Sequence, residues 1–291
     1  MVKKLRAVFL PPFLFVLFSY LLCIYIIIFY LTAMTYALIT GASKGIGKSL
    51  AGGLAARQYN LLLVARSGEE LSLLATQLTE QFKVTVNWLA LDLSHPDAAR
   101  QVYNWCADNH YEVSVLVNNA GYAVWGDFGK QSLDAQLSMV QVNAQTPVAL
   151  CHYMLPLLQK HARSYILNVS STAAYQAVRT LSLYSASKAF MLFFTRGIRK
   201  ELLGTGVTVT CLCPGPVNTN FIERAGMQAI QATAEKFGMT PDAVAAIALK
   251  GLFKGKAEII PGPLNAISSF MTRLVPKGLV EKIAGNLYKT K

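Results

Sequence analysis

Charge is scarce in this chain. Of its 291 residues, 14% are Asp, Glu, Lys or Arg and 53% are hydrophobic, whereas about a quarter are charged in an ordinary soluble domain. Such a chain is not intrinsically disordered. Acidic residues are the scarcer kind, 15 against 27 Lys and Arg, leaving a net charge of +12. Cysteine is sparse, odd in number at 5, and scattered, which excludes a disulfide scaffold. Cys211 and Cys213 stand two apart with no His or Cys at metal-ligand spacing nearby, so they read as core. His95, His110, His152 and His161 form no cluster, and no metal site is expected. No fixed period recurs, which excludes collagen, coiled coil and solenoid. A G-x-S-x-G elbow is absent. So is a basic stripe interleaved with aromatics, and nucleic acid is not an expected partner.

One long hydrophobic run is present. No charged residue stands between Arg6 and Lys44, and residues 13–31 read FLFVLFSYLLCIYIIIFYL. A helix crosses a bilayer core with roughly 20 such residues and satisfies its own backbone there. The run exceeds the core of a cleaved signal peptide, about 7–15 residues. Pro11 and Pro12 suit a helix start. Residues 1–33 are therefore expected to form a single-pass membrane anchor ahead of a domain spanning residues 34–291. Lys3, Lys4 and Arg6 favour a cytoplasmic N-terminus, which would put the domain across the membrane; Lys44 and Lys48 oppose that bias. The other reading takes Met34 as the start, giving a soluble cytoplasmic protein that begins MTYALITG.

Beyond Met34, short apolar runs alternate with longer amphipathic ones. Strands are expected at residues 36–40, 60–65, 85–91, 113–118, 165–169 and 207–212, with a short seventh at Ile259 and Ile260. Helices are expected at 46–57, 69–81, 97–109, 133–159 and 184–203, with Pro147 and Pro156 bending or interrupting the fourth. This alternation implies an α/β fold, a doubly wound parallel sheet covered on both faces. No linker divides it, so one domain is expected. Ligands of such sheets bind outside the carboxyl ends of the strands.

The first strand runs into Thr40-Gly41-Ala42-Ser43-Lys44-Gly45-Ile46-Gly47. Glycines allow a tight turn and close approach of a ligand. The following helix start offers free N–H groups to a pyrophosphate. The spacing is neither G-x-G-x-x-G nor a P-loop, since Ala42 stands where a P-loop needs its first glycine. The second strand ends at Arg66, with no acid beside it to hold the ribose 2′-hydroxyl of NAD. Arg66 suits a 2′-phosphate and Lys44 adds a second cation, so NADP(H) is expected over NAD(H).

Tyr184 and Lys188 are four apart, on one face of an expected helix. An ammonium beside a phenol lowers a pKa that starts at about 10, making a proton donor or acceptor usable near neutral pH. Alone, such a pair is usually a surface tyrosine beside a lysine. Here it follows the glycine loop, Asn118-Asn119-Ala120-Gly121, Asn143 and Ser170-Ser171, and it precedes Pro214-Gly215-Pro216-Val217-Asn218-Thr219. In that order these motifs closely resemble the short-chain dehydrogenase/reductase family of single-domain, Rossmann-like, NAD(P)-dependent oxidoreductases. The resemblance covers residues 35–219 well and the remainder loosely.

The resemblance implies an enzyme interconverting a ketone and a secondary alcohol. Tyr184 would be its general acid. Lys188 would lower the Tyr184 pKa and hold the nicotinamide ribose. Ser171 would hydrogen-bond the substrate oxygen, with Ser170 shaping the turn. Asn143 would hold a water linking Lys188 to solvent, or else be a satisfied mid-helix amide. Gly41, Ser43, Lys44, Gly45, Ile46 and Gly47 would cradle the cofactor. Arg66 and Asp92 would take its adenosine end, Asn118 and the following Asn119, Ala120 and Gly121 would support the sheet and border it, and Pro214, Gly215, Val217 and Thr219 would meet its nicotinamide end. A cytosolic NADPH supply would put the catalytic domain in the cytoplasm.

The segments that build the substrate pocket in this family supply Tyr122, Val124, Trp125, Phe128, Tyr175, Val178, Phe221, Ile222 and Met227 here. These suit an apolar, lipid-like ketone of 3-keto acyl, sphingoid or steroid type. A homo-oligomer is compatible with the resemblance. A cofactor-binding sensor without turnover, anchored at a membrane, is the alternative, although a sensor needs the glycine loop alone. The basic tail, with Arg273, Lys277 and Lys282 among Phe270, Leu274 and Leu279, fits either an anionic membrane surface or a helix packed on the domain.

Overall fold

The computed structural model describes residues 35–218 and 238–287, with side chains to residue 282. The expected anchor, Thr219, and the pocket candidates Phe221, Ile222 and Met227 lie outside the described residues. Among the described residues no helix is long and apolar enough to cross a membrane.

Seven strands, β1 Tyr36–Thr40, β2 Asn60–Ala65, β3 Val86–Ala90, β4 Val113–Asn118, β5 Ser164–Val169, β6 Val207–Leu212 and β7 Glu258–Ile259, form one sheet. Their order is β3-β2-β1-β4-β5-β6-β7, and every pairing is parallel. The helices are α1 Gly45–Ala55, α2 Gly68–Phe82, α3 Ala98–Asp108, α4 Leu133–Val140, α5 Thr146–Leu158, α6 Ser182–Glu201, α7 Pro241–Phe253, α8 Pro263–Met271 and α9 Lys277–Leu287.

The central strands are apolar at successive positions because both faces are covered, whereas the edge strand β3 is partly exposed. Side chains alternate across a strand, so Ala37 and Ile39 join Leu50 and Leu54 of α1, Leu71 of α2 and Val244 of α7. Leu38 between them joins Val102 of α3 and Leu150 and Met154 of α5 on the other face. The chain crosses from β3 back to β4 beside β1, so the strand order reverses between β1 and β4. A crevice opens at the carboxyl ends there.

Six strands and most helices fall within a residue or two of expectation. Two details differ. The seventh strand is Glu258–Ile259 and leaves out Ile260. The expected helix over residues 133–159 is interrupted directly ahead of Pro147: α4 passes through a π-helical turn, Gln141–Gln145, into α5. Pro147 sits in the first turn of α5, where its missing N–H costs little, and Pro156 stays inside α5. Such turns insert one residue and often mark functional sites.

Register across the central pair is locked by polar groups. Asn118 and Asn168 are partners between β4 and β5. Asn118 Nδ2 donates to Asn168 Oδ1 at 2.8 Å, and Asn168 Nδ2 donates to Thr195 Oγ1 of α6 at 3.0 Å. All three residues are buried, and a buried polar group without a partner is costly. Asn168→Ala should therefore destabilise the fold by about 1–3 kcal/mol. Urea unfolding measures this, and a change within error would show the network to be dispensable.

Candidate active site

The crevice is a cleft of about 770 Å³, within the range of small-molecule sites. Its glycine loop is held from below. Thr40 Oγ1 donates to Val117 O at 3.3 Å and accepts from the N–H groups of Asn119 and Ala120 at 3.0 and 3.1 Å. Asn119 Nδ2 donates to Thr40 O and Gly41 O at 2.9 and 3.1 Å. Gly41 and Gly45 have φ of 64° and 54°, the left-handed region that glycine enters freely. A Cβ on Gly47 would stand 2.2 Å from Gly41 O. Gly47 is thus buried under the turn and does not line the cleft.

α1 begins at this loop with no side-chain cap at Lys44 and no acid in its first turn. Its first N–H groups and positive dipole end face the cleft uncompensated. This is a cradle that a side chain would fill and that a pyrophosphate fits.

Beyond the glycine loop, Arg66, Asp92 and Lys44 line the cleft, together with Ser67 and Glu70. Glu70 was not foreseen. Lys44 Nζ lies 2.6 Å from Glu70 Oε1. The hydrogen bond from Lys44 holds the Glu70 carboxyl below its usual range, despite the opposing effect of burial. Lys44 is therefore not a free cation in this state. The signal was available: Ser67-x-x-Glu70 is a capping-box spacing, and Ser67 Oγ does accept from Glu70 N. Burial raises the Asp92 pKa, but Ser94 hydrogen bonds and the Arg66 charge outweigh it and hold that carboxyl low.

At the other end, α6 brings Tyr184 and Lys188 to the cleft wall, 8% and 4% exposed. Lys188 Nζ donates to Val169 O at 3.0 Å and lies 5.8 Å from the centre of the Tyr184 ring. Burial lowers the Lys188 pKa to about 8. Ser171 lines the cleft, its Oγ accepting from Ala173 N at 3.1 Å, which leaves the hydroxyl proton available to donate. Ser170 Oγ instead donates to Lys188 O at 2.7 Å and fastens α6 to β5.

Asn143 is 1% exposed in the π-helical turn and does not line the cleft. Its Nδ2 donates to Tyr122 O at 2.9 Å and Ser187 Oγ at 3.2 Å, and its Oδ1 accepts from Tyr122 N at 3.1 Å. Its amide thus ties the loop after β4 to α6. A Cβ on Gly121, in that loop, would stand 3.0 Å from Asn143 Oδ1 and 3.2 Å from Lys188 Nζ. Gly121 and Ala120 line the cleft, as do Ser43, Ile46, Pro214, Gly215 and Val217. Asn118 does not. It lies in the sheet interior on Asn168, and its neighbour Asn119 borders the cleft instead. Side chains alternate along a strand, so a shift of one residue exchanges interior for rim.

The family model for short chain dehydrogenase matches residues 35–229. The chain is 33% identical over 183 residues to very-long-chain 3-oxoacyl-CoA reductase-A of Danio rerio, covering 62% of this chain and 57% of that protein. The chain thus spans little more than half the length of that relative. Among solved structures, a 7β-hydroxysteroid dehydrogenase superposes with a TM-score of 0.78 at 25% identity, over 86% of this chain and 96% of the other. A short-chain dehydrogenase from Sphingobium yanoikuyae, solved with NADPH, superposes with a TM-score of 0.73 at 28% identity, over 82% and 94%.

The buried ammonium has a consequence for stability. Lys188 titrates at about 8 in the fold and at 10.5 ordinarily. Between these values the unfolded chain binds more protons, so stability rises with pH through that window. The rise is on the order of 3 kcal/mol and should vanish in Lys188→Met. Unfolding free energies from pH 7 to pH 10 test this, and parallel profiles for the two proteins would show Lys188 to be solvated.

Proposed function

The chain belongs to the short-chain dehydrogenase family, and on that premise we propose that it interconverts an apolar ketone and its secondary alcohol with NADP(H). It is an oxidoreductase of this family type and uses a nicotinamide cofactor. The substrate class and the phosphate-bearing cofactor are our reading. The observation that carries the substrate class is the cleft wall beside Tyr184. Tyr122, Val142, Ala173 and Leu181 line it, backed by Ala123, Met139 and Val178. Such a wall excludes water and favours a lipid-like chain. The names of the 3-oxoacyl-CoA reductase and the hydroxysteroid dehydrogenase above support a 3-keto acyl or steroid-type molecule, and a sphingoid ketone shares that chemistry.

A nicotinamide cofactor held in this cleft would supply or accept the hydride. The chain's residues bind it, orient it and manage the proton. The helix-start N–H groups of α1 would hold the pyrophosphate. Arg66 would hold the 2′-phosphate, with Lys44 joining it only on release from Glu70. In reduction, the Tyr184 hydroxyl gives its proton to the substrate oxygen, and the Lys188 ammonium favours the phenolate left behind. Ser171 donates a hydrogen bond to the same oxygen as charge develops. Asn143 holds the loop after β4 in register with α6 and so positions Lys188. Above pH about 8 Lys188 loses its proton and this support weakens.

Residues 1–33 are read as a membrane anchor with the domain on the cytoplasmic side, where such a substrate and NADPH meet. Recovery of the full chain in the soluble fraction, with a mature N-terminus at Met34, would end that reading.

Tyr184→Phe should abolish carbonyl reduction across a ketone panel while leaving NADPH affinity unchanged. Retained turnover would remove Tyr184 from the proton path. Arg66→Asp should weaken NADPH relative to NADH by roughly ten- to a hundredfold, and Glu70→Gln, by freeing Lys44, should tighten NADPH alone. Direct cofactor titration of both variants reads this. An unchanged NADPH:NADH ratio in each would place the 2′-phosphate elsewhere.

A further inference from the structure

α8 is built inside-out. It starts beside the cleft, where Asn265 packs against Gly215 and donates from Nδ2 to Pro261 O at 2.8 Å. Its buried residue is Ser269, whose hydroxyl finds no partner among the described residues. Its large apolar side chains face solvent: Leu264 is 73% exposed, Ile267 59% and Phe270 56%. Met271 and Leu274 continue the row, and Leu279 of α9 is exposed beyond it. Spacings of three and four residues put Leu264, Ile267, Phe270 and Met271 on one side of α8. A surface helix ordinarily buries its apolar stripe and shows its polar side chains. Here the polar side meets the protein and the apolar stripe meets water, which marks an interaction surface.

We infer that α8 and the start of α9 dock onto an anionic lipid bilayer, the apolar stripe entering the boundary between headgroups and acyl chains. Charge selects this occupant. Lys277 and Lys282 are exposed next to the stripe. Arg273 adds a third cation, held 3.8 Å from Glu258, and Glu281 is the one acid on α9. Basic residues flanking an apolar helical stripe match an anionic headgroup layer. A second copy of this chain would set the same cations against each other. The placement also fits. α8 abuts the loop after β6, whose Pro214, Gly215 and Pro216 line the cleft. Docking would bring that edge of the cleft to the membrane, where an apolar ketone concentrates. The contact does not depend on residues 1–33, and it stands apart from the reading of the substrate.

The test uses the full chain with an environment-sensitive fluorescent amino acid in place of Ile267. In a control, the same probe replaces Lys83, at the end of α2 on the opposite edge of the sheet. Vesicles are phosphatidylcholine with phosphatidylserine, or phosphatidylcholine alone. With the anionic vesicles, the probe at 267 should shift to the blue and be quenched by nitroxide-labelled acyl chains, while the probe at 83 stays in water. Added salt should weaken the contact by screening. Replacing Lys277 and Lys282 by Glu should weaken it at least about fivefold for each cation removed. A probe at 267 that stays in water on vesicle-bound protein overturns the inference. So does one that is already in an apolar environment without vesicles, since another part of the chain or a second copy would then cover the stripe.

Discussion

One buried ammonium organises the Tyr184 end of the cleft. Lys188 carries its charge in a place that is 4% exposed, and a lone charge there is costly. The surroundings offset that cost. Val169 O accepts from Nζ, Ser170 fastens the lysine's own backbone to β5, and the absence of a side chain at Gly121 leaves the ammonium room. The strand end, the turn after it and the loop after β4 are all shaped around this group. The lowered pKa records the same balance: burial pushes the proton off, yet Lys188 remains mostly charged near neutrality. A cation poised in this way can support a phenolate on Tyr184 without being quenched by water.

The cofactor end obeys a different constraint, the close approach of backbone to backbone. Thr40 joins the end of β1 to the end of β4 through its hydroxyl, and Asn119 caps the turn that Gly41 begins. Gly47 lies under that turn without touching the cleft. The reversal of strand order at β1 and β4 opens the space, and the helix start of α1 supplies its polarity. The two ends thus meet in one cleft because adjacent strands deliver them. Twisting one strand out of register would separate them, which is why the Asn118–Asn168 pair between β4 and β5 matters to a site it does not touch.

Much of this was legible in the residues. Strands apolar throughout and helices with one apolar face gave element positions to within a residue or two, because burial on two faces or on one leaves different periods. Tyr184 and Lys188 were readable as a pair because helical spacing alone puts them on one face. The π-helical turn was not readable. Pro147 marked where the helix would be disturbed, but the bonds of Asn143 to Tyr122, 21 residues away in sequence, are encoded by no local period. Asn118 supports the sheet while Asn119 borders the cleft, a division set by the alternation of strand side chains at a strand end. Glu70 carried a cap signal, but its bond to Lys44 joins two different βα turns.

The sequence by itself determined the fold class, the family and the chemical types at the site, because periodicity and short-range spacing are properties of the chain. Tertiary structure decided which groups are free. It pairs Lys44 with Glu70, spends the Asn143 amide on Tyr122 and Ser187, and leaves Ser171 its proton. It also turned α8 so that Ser269 is buried and Leu264, Ile267 and Phe270 are not. An amphipathic pattern states that a helix has two faces. Which face meets the protein is settled only when its neighbours are in place, since burial is a property of the packed molecule.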